Sequence, residues 1–501
     1  MLTRLKVSGF KNLVDVDIRF GPFTCIAGAN GVGKSNLFDA IRFLSALAEM
    51  PLIEAALSVR DEQNKTGDIR SLFHQAGTTY DPHILFEVEM IVPYEAVDEL
   101  GQRAKASITS LRYTLSLTFR EDGTTHPLGS LEIQKEELIH INRSDASKHF
   151  LFPHIPKTWR NTAIKGERRS PFISTEDRET GRVINLHQDG GSRGKPTARL
   201  ASSLPRTILS ATNAAESPTA LVAREEMRSW RLLQLEPSAL RKPDNAFTAS
   251  TSLSADGSHL AATLYHLARM PLHNQNGSPE VRAEQVYAQV ANRLSELIED
   301  VGKVWVERDD RRELLTLMVE DREGTAYSAR ALSDGTLRFL ALIVLELDTR
   351  SQGVLCLEEP ENGIHPERIP KILELLQDIA CDPNEEVGFD NPLRQVIINT
   401  HSPAVVQQIL DENLIVAELK STLREDKRFK RVNFAFLPDT WRQIKTLEPE
   451  CNNTVSKGKL LSYLNPVPYS MDQQDSSTRP RRVVDRPDLS LLIPGLAEHF
   501  Q

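Results

Sequence analysis

The sequence predicts an α/β fold in which one domain is interrupted by a long, mostly helical insertion. Two observations carry this prediction. Short apolar runs alternate with helical patterns near the beginning of the 501-residue chain and again after Leu332, as strands and their covering helices do. Between the two blocks lies a stretch rich in Arg, Ser, Gly and Pro that turns helical. The expected boundaries are a first lobe over 1–141, an insertion over 142–301, a second lobe over 302–420 and an extension over 421–501. The segment YSMDQQDSSTRPRRVVDR, from Tyr469 to Arg486, reads as a mobile tail.

The elements follow in order. VDVDIRF, from Val14 to Phe20, alternates apolar and charged residues, the period of a half-exposed strand, and LTRLKVSGF before it offers an antiparallel partner across a turn at Lys11 and Asn12. FTCIAG is a short apolar run that ends in a glycine-rich loop. A helix follows, with Leu37, Ile41, Leu44 and Ala48 at helical spacing, and Pro51 stops it. ILFEVEMIV and LRYTLSLTF read as strands, with a further pair around LEIQKEELIHI. FISTEDRETGRVINLH reads as a hairpin in the insertion, and KVWVER and ELLTLMVE restore strand signals before the second α/β block.

Composition narrows the function. With 40% hydrophobic and 26% charged residues the chain is expected to be globular rather than disordered. A formal net charge of -9 excludes whole-chain electrostatic binding of nucleic acid, so any such contact must be local. No two of Cys25, Cys356, Cys381 and Cys451 are spaced as metal ligands or a redox pair. The opening residues turn polar at once, and no apolar run reaches about 18 residues. A reduced, cytoplasmic protein without a membrane partner is expected.

Four motifs carry chemistry. GANGVGKS matches G-x-x-x-x-G-K-[ST] at Gly28, Gly33, Lys34 and Ser35, between a strand and a helix. Backbone N–H groups of such a loop wrap a diphosphate, the lysine reaches the β and γ phosphates, and the serine hydroxyl binds magnesium. ATP and Mg2+ are the expected cofactors, with Asn30, Gly31 and Asn36 completing the binding set. VLCLEEPENGIHP is a buried strand ending in carboxylates: Glu358 is expected to reach the metal through water, and Glu359 to orient or deprotonate the attacking water. QVIINTHSP closes a third apolar run with His401 placed to sense a γ-phosphate. LSDGT, at 332–336, opens a helix whose free N–H groups at Ser333 and Gly335 suit an anion. The phosphate loop already encloses its own nucleotide, so this second anion site is expected to meet the γ-phosphate held by another copy. Each of the last three motifs also has a plain reading: a solvated acidic loop, a structural histidine, a capped core helix.

Taken together, the motifs resemble the ABC-class ATPase heads of the SMC and RecF kind. The compact EEPENGIHP and NTHSP forms are most similar to OLD-like ATPases of prokaryotic defence systems, the Septu ATPases among them. The resemblance covers about 1–138 and 303–419 and implies an ABC-type head split by the insertion. It implies Walker A at Gly28 to Ser35, Walker B at Val354 to Glu359, a switch histidine at His401, and Gln75 in SLFHQAG as the Gln-loop residue near the metal. The signature departs from LSGGQ in having Asp334 and Thr336. OLD-type relatives carry a nuclease domain whose carboxylates cluster around metal ions. Only about one hundred residues follow His401 here, with scattered acids in DENLIVAELK and LEPEC, so this chain is not expected to be a nuclease. The resemblance implies instead a homodimer, or a higher oligomer, that senses or gates a separate effector nuclease of HNH type. The alternative is a RecF-like repair ATPase that binds DNA through Lys165, Arg168 and Arg169. A transporter subunit is disfavoured by the long separation between Lys34 and Ser333.

Overall fold

The computed structural model describes residues 1–59, 68–122, 126–179, 181–189, 196–247, 250–270, 279–424, 427–443 and 453–464. The Tyr469 to Arg486 tail and the LEPEC acids lie outside them.

Two sheets organise the head. The strands Phe23–Ala27, Gly353–Glu358 and Arg394–Thr400 are almost continuously apolar and buried along their length, the signature of parallel strands covered on both faces. They form the centre of a six-stranded sheet, in which Arg394–Thr400 lies between the other two. Leu414–Arg424 extends this sheet in parallel with Phe23–Ala27 and then pairs antiparallel with Lys427–Phe436. The second sheet has eight strands, all antiparallel, and begins with the expected pair, Leu5 facing Ile18. LEIQKEELIHI belongs to one long strand, His126–His140, rather than to a pair of its own.

The helix Lys34–Leu47 joins the two sheets. Leu37, Phe38, Ile41 and Leu44 are buried along it, and Phe43 stands 5.9 and 6.0 Å from the rings of Phe10 and Phe86 on the antiparallel side. These side chains belong to one core with Ile26, Val354 and Ile397 of the parallel sheet. This helix is therefore held from two sides.

Residues 142–301 do not stand apart from the head. The hairpin Ile173–Arg178 and Gly181–Leu186, with Thr197–Leu200, supplies three strands of the eight-stranded sheet. Arg231–Leu233 lies parallel to Gly353–Glu358 as the edge strand of the six-stranded sheet. Position 421, expected as the start of an extension, falls inside the strand Leu414–Arg424. One compact unit runs from Met1 to Ser456. A separate unit begins at Lys457, with a short helix over Lys457–Leu464.

One buried acid makes this scaffold sensitive to pH. Glu136 accepts N–H bonds from Ile208 and Leu209 at 2.8 and 2.9 Å and the phenol proton of Tyr113 at 3.2 Å. Burial pushes its carboxyl up to about 7, against the lowering effect of those three bonds. The folded value lies above the ordinary one, so the folded protein holds the extra proton between the two. The stabilisation is complete below the unfolded pKa of 4.5 and is lost as pH rises through about 7. Thermal unfolding followed from about pH 5 to 8 is expected to show a falling midpoint, and Glu136→Gln is expected to flatten that fall. An unchanged slope in the variant would contradict this origin.

Candidate functional site

The phosphate loop leaves the buried strand Phe23–Ala27 and turns into Lys34–Leu47. Gly28 is pressed against the neighbouring strand, where a β-carbon would come within 2.7 Å of the Ala417 carbonyl. Gly33 has φ +109°, and a β-carbon there would meet the Asn12 amide at 2.3 Å. The loop therefore requires glycine at these two positions. Asn12 braces it, donating to Val32 O at 3.2 Å and accepting from Asn36 Nδ2 at 2.8 Å. Lys34 is buried, and its ammonium donates to Gly28 O and Ala29 O at 2.6 and 3.0 Å. Burial lowers its pKa, opposed by the charges of Glu359, Glu358 and Glu361. A cationic side chain folded back on its own loop, beside exposed backbone at Asn30 and Gly31, fits a phosphate group.

Opposite this loop the acidic turn closes a cavity of about 660 Å³. Its wall includes Asn30, Gly31, Gly33, Lys34, Ser35, Asn36, Glu358 and Glu359. Glu359 is held from several directions. Its Oε1 lies 2.5 Å from His401 Nδ1, its Oε2 accepts from Asn362 Nδ2 at 2.8 Å, and its N–H donates to Asn399 O at 3.0 Å. Partial burial pushes its carboxyl up, but Asn362, His401 and Lys34 together hold it below the usual carboxylate range. The backbone of Glu359 sits at φ +46°, a left-handed conformation that costs on the order of 1 kcal/mol or more for a residue with a β-carbon. These hydrogen bonds hold that strained turn in place.

Ser333, Gly335 and Gln75 are not in the cavity wall. Ser333 caps the helix Asp334–Leu347, accepting from Thr336 N at 3.2 Å, and is exposed. Arg241 fixes this helix start by donating to Leu332 O at 2.9 Å and to Asp334 Oδ1 at 2.5 Å. Further along the same helix Arg338 reaches the cavity wall and donates to Asn362 O. The capped helix is thus tied to the turn that carries Glu359.

The expectation for Gln75 is corrected. Its amide donates to Gly77 O at 2.9 Å within the small hairpin of Gln75–Ala76 and Thr79–Tyr80. Gln234 stands in the wall instead. The register explains why: Leu233 faces Leu357 across the parallel edge pair, so the next residue on each strand brings Gln234 level with Glu358. The signal in the sequence is the run WRLL just before this glutamine, a strand too short to be read by periodicity. Among the described residues no group of three or more His, Cys, Asp or Glu side chains is placed to hold a metal ion. None of the described helices is long and apolar enough to cross a membrane.

A phosphate loop, an acid-ended strand and a histidine-ended strand between the two make up a P-loop nucleotide site. The chain belongs to the AAA_21 family, described as "AAA domain, putative AbiEii toxin, Type IV TA system", which matches residues 23–152 and 159–407. Similarity to the DNA replication and repair protein RecF is local. It reaches 44% identity over 46 residues for the Porphyromonas gingivalis protein and 41% over 46 for that of Phocaeicola vulgatus. These matches cover 9% of this chain and only 13% and 12% of the relatives' own lengths. Among solved structures, an Smc head bound to the C-winged helix domain of ScpA shares 13% identity over 87% of this chain and 98% of that one, with a TM-score of 0.45. The Thermotoga maritima SMC head domain shares 11% identity over 86% and 98%, with a TM-score of 0.34.

Proposed function

We propose that this chain binds ATP with magnesium, hydrolyses it in a site completed by a second copy, and gates a separate effector nuclease in an antiphage defence system. The observation that carries the hydrolytic part is Glu359, an ionised carboxylate aimed by His401 and Asn362 across the cavity from Lys34. In this reading Lys34 and the loop N–H groups hold the phosphates. Ser35, Glu358 and Gln234 would hold the magnesium, which would supply charge neutralisation. Glu359 orients the attacking water and takes its proton.

The helix cap at exposed Ser333 and half-buried Gly335, outside the chain's own cavity wall, supports a site shared between copies. Arg338 offers a route from that cap to the Glu359 turn. The family description, with its toxin and TA system, supports a role as one half of a pair. The basic cluster offered for direct DNA binding gains little support. Arg168 pairs with Asp189 at 2.8 Å and stacks on Phe172, and Lys165 lies over Tyr94.

The test is co-purification of the full chain with the product of its neighbouring gene, with ATP hydrolysis measured on both. An HNH-type nuclease that is retained, and whose cleavage changes when ATP is added, is the expected result. A chain that hydrolyses ATP but retains no nuclease would sink the gating role.

A further inference from the structure

The end of the strand Arg394–Thr400 meets the acidic turn residue against residue. Asn399 Nδ2 donates to Glu358 Oε1 at 3.2 Å, Thr400 Oγ1 donates to Glu361 Oε1 at 2.5 Å, and His401 Nδ1 lies 2.5 Å from Glu359 Oε1. Three consecutive side chains thus hold three carboxylates. Glu358 and Glu359 already have parts in the proposed reaction, and Glu361 has none.

Glu361 is only 8% exposed. Thr400 accepts the Ser402 N–H at 2.9 Å, which directs its own proton to Glu361. The Thr400 carbonyl accepts from Gly28 N at 3.2 Å, so the same residue is tied to the first glycine of the phosphate loop. The second Glu361 oxygen is buried and makes no hydrogen bond among the described residues. Such an orphan is costly, and a core position of this kind would be cheaper to fill with an apolar side chain. Burial pushes the Glu361 carboxyl up, against the Thr400 bond.

We infer that Glu361 is a positioning residue: through the Thr400 hydroxyl it fixes the turn that carries His401 and so sets the aim of Glu359. The inference rests on the hydrolytic reading above. The Glu359 turn is strained and His401 is 42% exposed on its side chain, so neither holds its place by packing alone. The buried Glu361–Thr400 bond is the rung beneath them.

The test uses the full chain. Glu361→Ala is expected to bind ATP within about twofold of wild type and to lower kcat about 10- to 100-fold, the size of effect that misplacing a reacting group brings. Thr400→Val removes the same bond and is expected to match it, and the double variant to be no worse than either single one. Glu361→Gln keeps an acceptor oxygen for Thr400 and is expected to restore most of the rate. A second readout needs no turnover: the imidazole Cε1–H resonance of His401 in nucleotide-free protein, assigned with His401→Gln. It is expected to move to a common position in Glu361→Ala and Thr400→Val and to return in Glu361→Gln. Wild-type turnover with an unmoved resonance in Glu361→Ala overturns the inference, as does a Glu361→Gln protein as impaired as Glu361→Ala. If Glu361→Ala does not fold, Thr400→Val and Glu361→Gln carry the same comparison. If the wild-type chain binds ATP without turning it over, the hydrolytic reading falls, and the His401 resonance still decides the ladder.

Discussion

Glu359→Gln is expected to bind ATP as tightly as wild type and to hydrolyse it on the order of 100- to 10,000-fold more slowly, the range lost with a positioned general base. The amide is nearly isosteric and can still accept from Asn362, so the strained turn is expected to keep its shape. What it cannot do is take a proton. Lys34 and the loop N–H groups are untouched, which is why affinity is preserved. Copies that cannot complete hydrolysis are expected to remain together, so light scattering with ATP is expected to show a long-lived dimer where wild type shows a transient one. Single-turnover rates equal to wild type would remove Glu359 from the role assigned to it.

Lys34→Ala and Ser333→Arg are each expected to abolish steady-state hydrolysis, for different reasons that a mixture separates. Loss of the Lys34 ammonium removes charge-assisted bonds to phosphate and is expected to weaken binding about 10- to 100-fold. Ser333→Arg is expected to bind nucleotide as a monomer normally, because Ser333 lies outside the chain's own cavity wall. In a two-fold dimer of one copy of each, one site carries both changes and the other carries neither. An equimolar mixture forms such dimers about half the time, so it is expected to recover about a quarter of wild-type activity. A mixture as inactive as its components would refute the shared site.

Three of the four motifs were legible as elements because each is a strand end, and a strand end needs only a few consecutive residues. FTCIAG before GANGVGKS, VLCLE before the acidic turn and QVIINT before His401 are apolar runs closed by polar residues, and the structure brings all three ends to one edge of one sheet. Gln234 escaped notice because its strand is three residues long and acquires meaning only by pairing with Gly353–Glu358. Gln75 was attractive by its position in the chain, yet its amide is spent on its own hairpin. The pairing of the insertion with the flanking lobes escaped notice for a similar reason. Its composition differs from the flanking lobes, but its strands pair with theirs, and strand pairing leaves no mark in the composition of either partner.

The sequence by itself determined which short segments join glycine, lysine and carboxylates to the ends of apolar runs and on what kind of element each sits, because glycine at a positive φ, a lysine after it and acids at the end of an apolar run are short-range requirements. Tertiary structure decided how those residues hold one another. The pairing of Glu358, Glu359 and Glu361 with Asn399, Glu359's partner His401 and Thr400 crosses some forty positions of chain. The placement of Gln234 level with Glu358 crosses more than a hundred. Contacts at such separation depend on the register of strands and the packing of a shared core, which are properties of the folded whole rather than of any one segment.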